Sequence, residues 1–245
     1  FFLQRHLLHM DTHLKDTARL FLQLESSLEN GRKGGPLATH KNVLDVHQGF
    51  LDLKGASKEI SLTLRVGRQE LDYGTKLIAV RDGTNTRLAH DAIKVICDTG
   101  TFRIDAFAGE PVRIKRHVLD DRPVNGQVFW GVYESGPLPV IEGMRGDFYY
   151  LHNERKDTPF NGKGADERRH TVGARLWRGG EPWAYNNEFV LQWGSSDGGD
   201  ILAYAAMPEI AYSARSLPCA PRFVLHGDVA SGDRDPNDKD MQSFN

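Results

Sequence analysis

The chain has 245 residues, with 31 Lys and Arg against 33 Asp and Glu and a formal net charge of -2. This near-balance argues against a general nucleic-acid binder, which would carry a basic excess. Hydrophobic residues make up 39% of the chain and form no run of about 18, which excludes a helical membrane protein. A transmembrane β-barrel remains compatible, because half of each strand faces a polar interior. The chain opens on Phe1 without a signal pattern, so we expect an internal piece of a longer protein.

Apolar and polar residues alternate in runs along nearly the whole chain, with Gly-, Asp- and Asn-rich turns between them. No segment shows a 3.6-residue apolar period over about a dozen residues, although Ala18–Leu28 could also form a short helix. The pattern predicts an all-β chain with roughly a dozen strands. We expect a single domain over residues 1–245. The predicted strands are Leu7–Leu14, Ala18–Leu28, Val43–Leu53, Ile60–Glu70, Lys76–Val80, Asp91–Cys97, Thr101–Gly109, Gln127–Glu134, Asp147–Asn153, His170–Trp177, Trp183–Trp193, Ile201–Met207 and Arg222–Ala230.

Longer polar segments separate some of these strands, and short turns separate others. Such alternation of long loops with short turns is typical of outer-membrane barrels. The predicted loops are residues 30–40, 110–126, 135–146, 154–168 and 231–245.

The clearest strand is Trp183–Trp193, whose odd positions are mostly apolar and whose even positions carry Asn186, Glu188 and Gln192. Successive side chains of a strand point to opposite faces, so one face is apolar and the other is polar. Aromatic residues at both ends of the apolar row suit a strand that crosses a bilayer. A half-buried strand of a soluble sandwich would alternate in the same way, and Asn187 interrupts the apolar row.

If the apolar rows face lipid, the charged residues between them face the interior, because a charge at the bilayer midplane costs about 2–4 kcal/mol. Arginines along an interior would lower the electrostatic barrier to an anion. The alternative is that arginines and acids pair across neighbouring strands and fill the interior. Alternation supports Arg65 and Arg175 best. The candidate pore-lining residues that the strand pattern gives are Arg65, Arg103, Asp105, Arg175, Glu188, Arg222, His226 and Asp228.

The sequence predicts no enzyme, cofactor or metal site. It contains neither a Gly-x-Ser-x-Gly elbow nor a phosphate-binding Gly-rich loop. Residues 233–240 place oxygen ligands at alternate positions but lack the Gly and the Glu of a calcium loop, which favours a solvated surface loop and leaves calcium open. His9, Asp11 and His13 would share one face of a strand, without an evident ligand from a second strand.

Several sequence blocks occur in an order that resembles the alginate export family of outer-membrane porins. The resemblance implies an antiparallel transmembrane β-barrel of about eighteen strands, of which this chain is a portion incomplete at both ends. The blocks are Leu64–Gly74 continuing into Val80–Asn85, Leu24–Arg32, Phe129–Tyr133, Glu167–Trp177 and Ala230–Asp238.

The resemblance also implies a function in the bacterial outer membrane. It further implies an arginine-lined conduit, to which Arg81 and Arg87 are added as candidate pore-lining residues. We expect a channel for passive passage of an anionic, alginate-like polysaccharide or of small anionic solutes. Its expected partners are that solute, outer-membrane lipid and periplasmic export components, but no nucleic acid. The alternative is a soluble, secreted β-sandwich or β-solenoid that binds or cleaves polysaccharide, which would place the aromatic residues in a groove or a core.

Overall fold

The fold of the chain consists of β-strands. The computed structural model describes residues 1–75, 77–78, 80–81, 83–139, 141–160, 163–235 and 238–245, with only the backbone at 158–160 and 163. Fourteen strands are present among these residues. They are β1 (Phe2–Leu14), β2 (Ala18–Asn30), β3 (Asn42–Ala56), β4 (Ser61–Gln69), β5 (His90–Asp98), β6 (Arg103–Arg113), β7 (Arg122–Pro123), β8 (Gln127–Pro137), β9 (Arg145–Phe160), β10 (Lys163–Arg178), β11 (Trp183–Ser196), β12 (Gly199–Ser213), β13 (Arg222–His226) and β14 (Val229–Ala230).

These strands form one antiparallel sheet, which confirms the predicted all-β fold. Its order is β1-β2-β3-β4-β5-β6-β8-β9-β10-β11-β12-β13, while β7 pairs with β6 and β14 with β12. Over the described residues the sheet ends at β1 and β13 without closing. Two compact units divide the chain: unit 1 is 1–99 with 105–129, and unit 2 is 100–104 with 130–245. No helix of the described residues has the length and hydropathy to cross a membrane.

Many strands run further than the side-chain pattern predicts. The loop predicted at 154–168 is wrong, because β9 and β10 continue through most of it, with pairs such as Glu167 to Arg155. The loop predicted at 110–126 is shorter, since β6 reaches Arg113 and pairs there with β7. Main-chain hydrogen bonds do not depend on side-chain polarity, so a hairpin can extend through polar residues. The change from alternating to mainly polar sequence therefore indicates where an apolar row ends and not where the strand ends.

Two predicted strands differ from the structure. In Lys76–Val80, residues 76 and 79 lie outside the described residues, and Ile78 forms only an isolated bridge with Tyr73. The run Arg222–Ala230 is divided into β13 and β14 at residues 227–228.

The two faces of the sheet have an inverted pattern of burial. On β11, Glu188 is 0% exposed, whereas its neighbour Phe189 is 52% exposed. On β5, Lys94 is buried between the exposed Ile93 and Val95. Soluble proteins bury apolar side chains and expose charged ones. We call the two sides the polar face, which is buried, and the apolar face, which is exposed.

Aromatic side chains cluster near both ends of the apolar face in unit 2. The Trp183 ring lies 4.7 Å from the Tyr212 ring at one end of β11. At the other end the Trp193 ring lies 5.5 Å from that of His170. The ten residue steps from Trp183 to Trp193, at about 3.3 Å each, span roughly 33 Å along the strand. For a strand tilted by about 40° this length corresponds to about 25 Å along the bilayer normal. This spacing matches the apolar band of a membrane barrel, with Phe189 near its centre.

Three long connections meet at one end of unit 1. They are residues 31–41, 70–89 and 114–121, and antiparallel strands bring them to the same end. Asn85 is buried among them, and its Nδ2 donates to the carbonyl oxygens of His40 at 2.9 Å and Leu28 at 3.2 Å. The Leu119 amide donates to the Leu44 carbonyl at 2.9 Å. Main-chain hydrogen bonds therefore hold these connections together.

We predict that Phe189→Arg lowers the free energy of unfolding from lipid by about 2–4 kcal/mol, because its side chain lies near the centre of the apolar band. Ser195→Arg, beyond Trp193 on the same strand, should cost only about 0–1 kcal/mol. Denaturant titration of the full-length protein in lipid vesicles measures both values. Equal costs at the two positions would contradict a membrane-embedded apolar face.

Candidate functional site

The polar face of unit 1 is organised around Asp52, which is almost fully buried. Arg65 donates from Nε and Nη2 to the two carboxylate oxygens of Asp52 at 2.6 and 2.8 Å. On the other side of Asp52, Arg19 Nη1 lies 3.7 Å from Oδ2. The guanidinium carbon of Arg65 also lies 3.8 Å from the centre of the Phe50 ring. The predicted site residue Arg65 is therefore held by an acid and a ring of the neighbouring strand.

Close approach of the backbones fixes the position next to Arg65. Gly67 has φ +130° and pairs with Phe50 of β3. A Cβ at residue 67 would collide with the Gly49 carbonyl oxygen and with the Phe50 backbone. Glycine is therefore required here for both conformation and space.

Arg87 joins a second charged cluster at the end of unit 1. Its Nε lies 2.8 Å from Glu70 Oε1. His47 Nε2 lies 2.7 Å from the same oxygen, and His47 Nδ1 lies 3.2 Å from Glu25 Oε2. Because Glu25 and His47 are buried, this cluster ties the 70–89 connection to β2 and β3.

The predicted residue Asp105 is buried on the polar face of β6. The Tyr73 hydroxyl donates to Asp105 Oδ2 at 2.6 Å, and Lys94 Nζ lies 3.9 Å from the same oxygen. The Tyr73 ring stacks on Phe107 with 5.3 Å between centroids. Asp105 therefore lies beneath other side chains.

In unit 2, Arg175 is held between β9 and β11. Its Nε donates to Asn186 Oδ1 at 2.7 Å, and its Nη1 donates to Asp147 Oδ2 at 3.1 Å. Trp177 Nε1 donates to the other oxygen of Asp147 at 3.2 Å. Arg175, the second of the two candidate arginines that alternation supports best, therefore lies beside the buried Asp147, as Arg65 lies beside Asp52 in unit 1.

Glu188 accepts a hydrogen bond that spans the strand between β9 and β11. The Tyr149 hydroxyl, from β9, donates to Glu188 Oε1 at 2.8 Å. Tyr149 pairs with Gly173 of β10, and a Cβ at residue 173 would occupy the space of the Tyr149 ring. The glycine therefore allows the tyrosine to cross β10 and reach the fully buried Glu188.

Arg169 links β10 to the segment 241–245, which lies against the polar face of unit 2. Its Nε donates to Glu167 Oε1 at 2.8 Å, and its Nη1 donates to the Ser243 carbonyl at 3.2 Å. Gln192 Nε2 donates to the Asn245 carbonyl at 2.8 Å. Arg155 Nη2 lies 2.8 Å from Glu167 Oε2, so this acid is shared by two arginines.

Several pairs on the polar face share one asymmetry, in which the acid is buried and the arginine lies over it. The side chain of Asp52 is 2% exposed and that of Arg65 is 17% exposed. The corresponding values for Asp147 and Arg175 are 4% and 22%. An aspartate side chain is short, so its carboxylate stays close to the backbone. An arginine side chain is longer, so its guanidinium extends beyond the carboxylate towards solvent. The same order holds for Glu29 with Arg32 and for Glu167 with Arg155, whereas Arg68 with Asp91 shows the opposite order.

The other candidates lie at separate places. Arg81 is exposed in the 70–89 connection with φ 53°. Arg103 is exposed at the start of β6, two residues from Asp105 and so on the same face. The structure therefore does not gather the predicted residues into one cluster.

On β13, the predicted residues Arg222 and His226 pair with Ser213 and Glu209 of β12. His226 Nδ1 lies 3.5 Å from Glu209 Oε2, and His226 Nε2 lies 3.0 Å from Asp228 Oδ1. These side chains are exposed, and Phe223 and Leu225 alternate with them on the other face.

The acids that hold the candidate arginines were not among the predicted site residues. Asp52, Asp147 and Glu167 each lie on a predicted polar row or in a predicted loop, so the sequence indicated at most that they are on the polar side and not which arginine each one contacts. Their partners come from neighbouring strands, and strand register decides which residues meet.

Asp121 lies outside the strands, in the connection after β6. Burial and, to a smaller extent, the nearby Asp45 carboxylate raise the pKa of Asp121 to about 6. Hydrogen bonds from the Lys115 amide and Asn42 Nδ2 act in the opposite direction. Asp121 therefore holds its proton more tightly than an exposed aspartate does.

A family model described as Alginate export matches residues 1–245, the whole chain. The chain belongs to the alginate export family. The comparison with curated proteins found no match. Alginate export proteins are outer-membrane porins, so membership assigns the chain to an outer-membrane channel for alginate passage in general. It also assigns the chain to a family of transporters rather than of enzymes.

For this alginate export protein we predict that Tyr149→Phe lowers the free energy of unfolding by about 1–3 kcal/mol, because it removes a donor from the buried Glu188 carboxylate. Tyr204→Phe is the matched control, since Tyr204 is exposed on the apolar face. Denaturant unfolding in detergent micelles measures both. An unchanged stability for Tyr149→Phe would show that the bond to Glu188 contributes nothing.

Proposed function

We propose that the polar face forms the wall of an outer-membrane channel through which an anionic, alginate-like polysaccharide or small anionic solutes diffuse. The observation that carries this proposal is the position of Arg65 and Arg175 above buried acids. A solute that moves along this wall meets guanidinium groups before it meets carboxylates. The proposal assigns the ten candidate residues to the pore wall, with Arg65 and Arg175 as the main contacts and with Asp105 and Glu188 buried within the wall.

The pairing geometry supports weak, repeated contact with an anion. Arg65 uses its Nε and Nη2 edge for Asp52, which leaves its Nη1 edge for a solute carboxylate. Asp52 fixes this guanidinium in place and also offsets its charge. Attraction is therefore sufficient for entry and weak enough for release, as conduction requires.

The burial pattern favours a membrane channel over the soluble sandwich or solenoid. A soluble polysaccharide-binding protein would expose its charged face to water and bury its apolar face. Here the apolar face is exposed and carries aromatic residues at both ends. Outer-membrane lipid is therefore the proposed partner of this face, and the bacterial outer membrane the proposed location.

The proposed channel is a single β-barrel domain that includes both units. Sheet edges are not tolerated in lipid, so β1 and β13 need further strands to close the barrel. Periplasmic export components are proposed as partners of the complete channel, and no cofactor takes part in the mechanism.

We predict that Asp52→Asn and Arg65→Gln shift ion selectivity in opposite directions. Asp52→Asn removes the charge that offsets Arg65 and should increase the preference for anions, whereas Arg65→Gln should decrease it. The measurement is the reversal potential in a potassium chloride gradient, with the full-length protein in planar bilayers. Added oligouronate should reduce the wild-type current more than that of Arg65→Gln.

The matched control is Arg168→Gln, because Arg168 is exposed and precedes the polar-face residue Arg169 on β10. This variant should keep the wild-type reversal potential. Identical selectivity in all four proteins would overturn the role of Arg65. A monodisperse, water-soluble protein that does not insert would overturn the channel itself.

A further inference from the structure

Three acidic side chains converge where the 114–121 connection packs against the start of β3. Asp45, Asp120 and Asp121 each place one carboxylate oxygen within 4.8 Å of the others. Asp45 and Asp121 are buried, and Asp120 is half-buried. Buried carboxylates are stable only when their charge is compensated.

The compensation from nearby protein groups is incomplete. The Asp121 amide donates to Asp45 Oδ2 at 2.9 Å, and the Lys115 amide donates to Asp121 Oδ1 at 2.6 Å. Each of these oxygens keeps a second lone pair. Arg68 Nη1 lies 3.7 Å from Asp45 Oδ1, but Arg68 is already bound through Nε and Nη2 to Asp91.

An independent feature of the same place is the side chain of Asn42. This residue is only 3% exposed, and its Oδ1 has no hydrogen-bond partner among the described atoms. Its Nδ2 donates to Asp121 Oδ2 at 2.9 Å, so the amide lies against the acidic cluster. Asp120 Oδ1 is likewise a buried oxygen without a partner in the described structure.

Asn42, Asp45 and Asp121 line one small polar cavity of about 10 Å³. This is about the space that a single water molecule or ion occupies. Arg87 and His47 also line the cavity, but their ring and guanidinium nitrogens lie against Glu70 and Glu25. The cavity therefore offers oxygen ligands and a local excess of negative charge.

We propose that this cluster is a calcium site, with ligands from the carboxylates of Asp45, Asp120 and Asp121 and from Asn42 Oδ1. These are the hard oxygen ligands that Ca²⁺ takes, and their irregular arrangement suits Ca²⁺ better than the octahedral Mg²⁺. The bound ion fastens the 114–121 connection to β3 at the end of unit 1 where the long connections meet. The site is separate from the two main proposed arginine contacts, Arg65 and Arg175, although Arg87 lines the same cavity.

The test is calorimetric titration of calcium chloride into the full-length, EDTA-treated protein in detergent micelles. The wild type should bind Ca²⁺ with a dissociation constant on the order of 10⁻⁴–10⁻³ M, as in extracellular calcium modules. Asp121→Asn and Asp120→Asn should each weaken this binding at least about tenfold, given that ligand charge tunes calcium affinity. Calcium should also raise the unfolding temperature of the wild type more than that of either variant.

Asp120→Asn keeps the test decisive if Asp121→Asn fails to fold, because Asp120 is less buried. The matched control is Asp238→Asn in the acidic 233–240 segment, which should bind like the wild type. Unchanged calcium affinity in Asp120→Asn, or no binding by the wild type, would overturn the site and leave a cavity filled by water. Equal affinity for Mg²⁺ would overturn the assignment to calcium.

Discussion

The structure depends on the separation of charge from hydrocarbon across a single layer of sheet. A charge on the lipid side costs about 2–4 kcal/mol at the midplane, so charged side chains within the apolar band are favoured on the polar face. The period of two along each strand makes this possible, because alternate residues point to opposite sides. The inverted burial of Glu188 and Phe189 is the direct result.

Concentrating charges on one face creates a second requirement, since buried acids need partners. The sheet supplies them from adjacent strands, as Arg65 does for Asp52 and Arg175 for Asp147. The two alternatives left open by the sequence, a conductive arginine wall and a set of structural ion pairs, are therefore not exclusive. In the proposed channel, the same guanidinium neutralises the acid beneath it and presents its remaining edge to a solute.

At the end of unit 1 where the three long connections meet, buried polar groups hold connections together instead of joining neighbouring strands. There the connections themselves are packed, with Asn85 bonded to carbonyls of two segments and Asp121 bonded to Asn42. The acids and histidines that could be considered as metal ligands from the sequence, such as His9, Asp11 and His13, lie close together in the chain. The proposed calcium ligands Asn42 and Asp121 are far apart in sequence and meet only because the connection after β6 folds back onto β3.

The sequence by itself determined the all-β class, most of the strands and the alternation of faces along a strand such as β11, because alternation is a local property of the strand. The ordered blocks that resemble alginate export proteins also lay in the sequence, and the family match confirms them. Only the tertiary structure decided that residues 154–168 are mainly strand, that Tyr149 crosses Gly173 to reach Glu188, and which acid holds each arginine. These facts depend on register and on the packing of distant segments, which a local pattern does not encode.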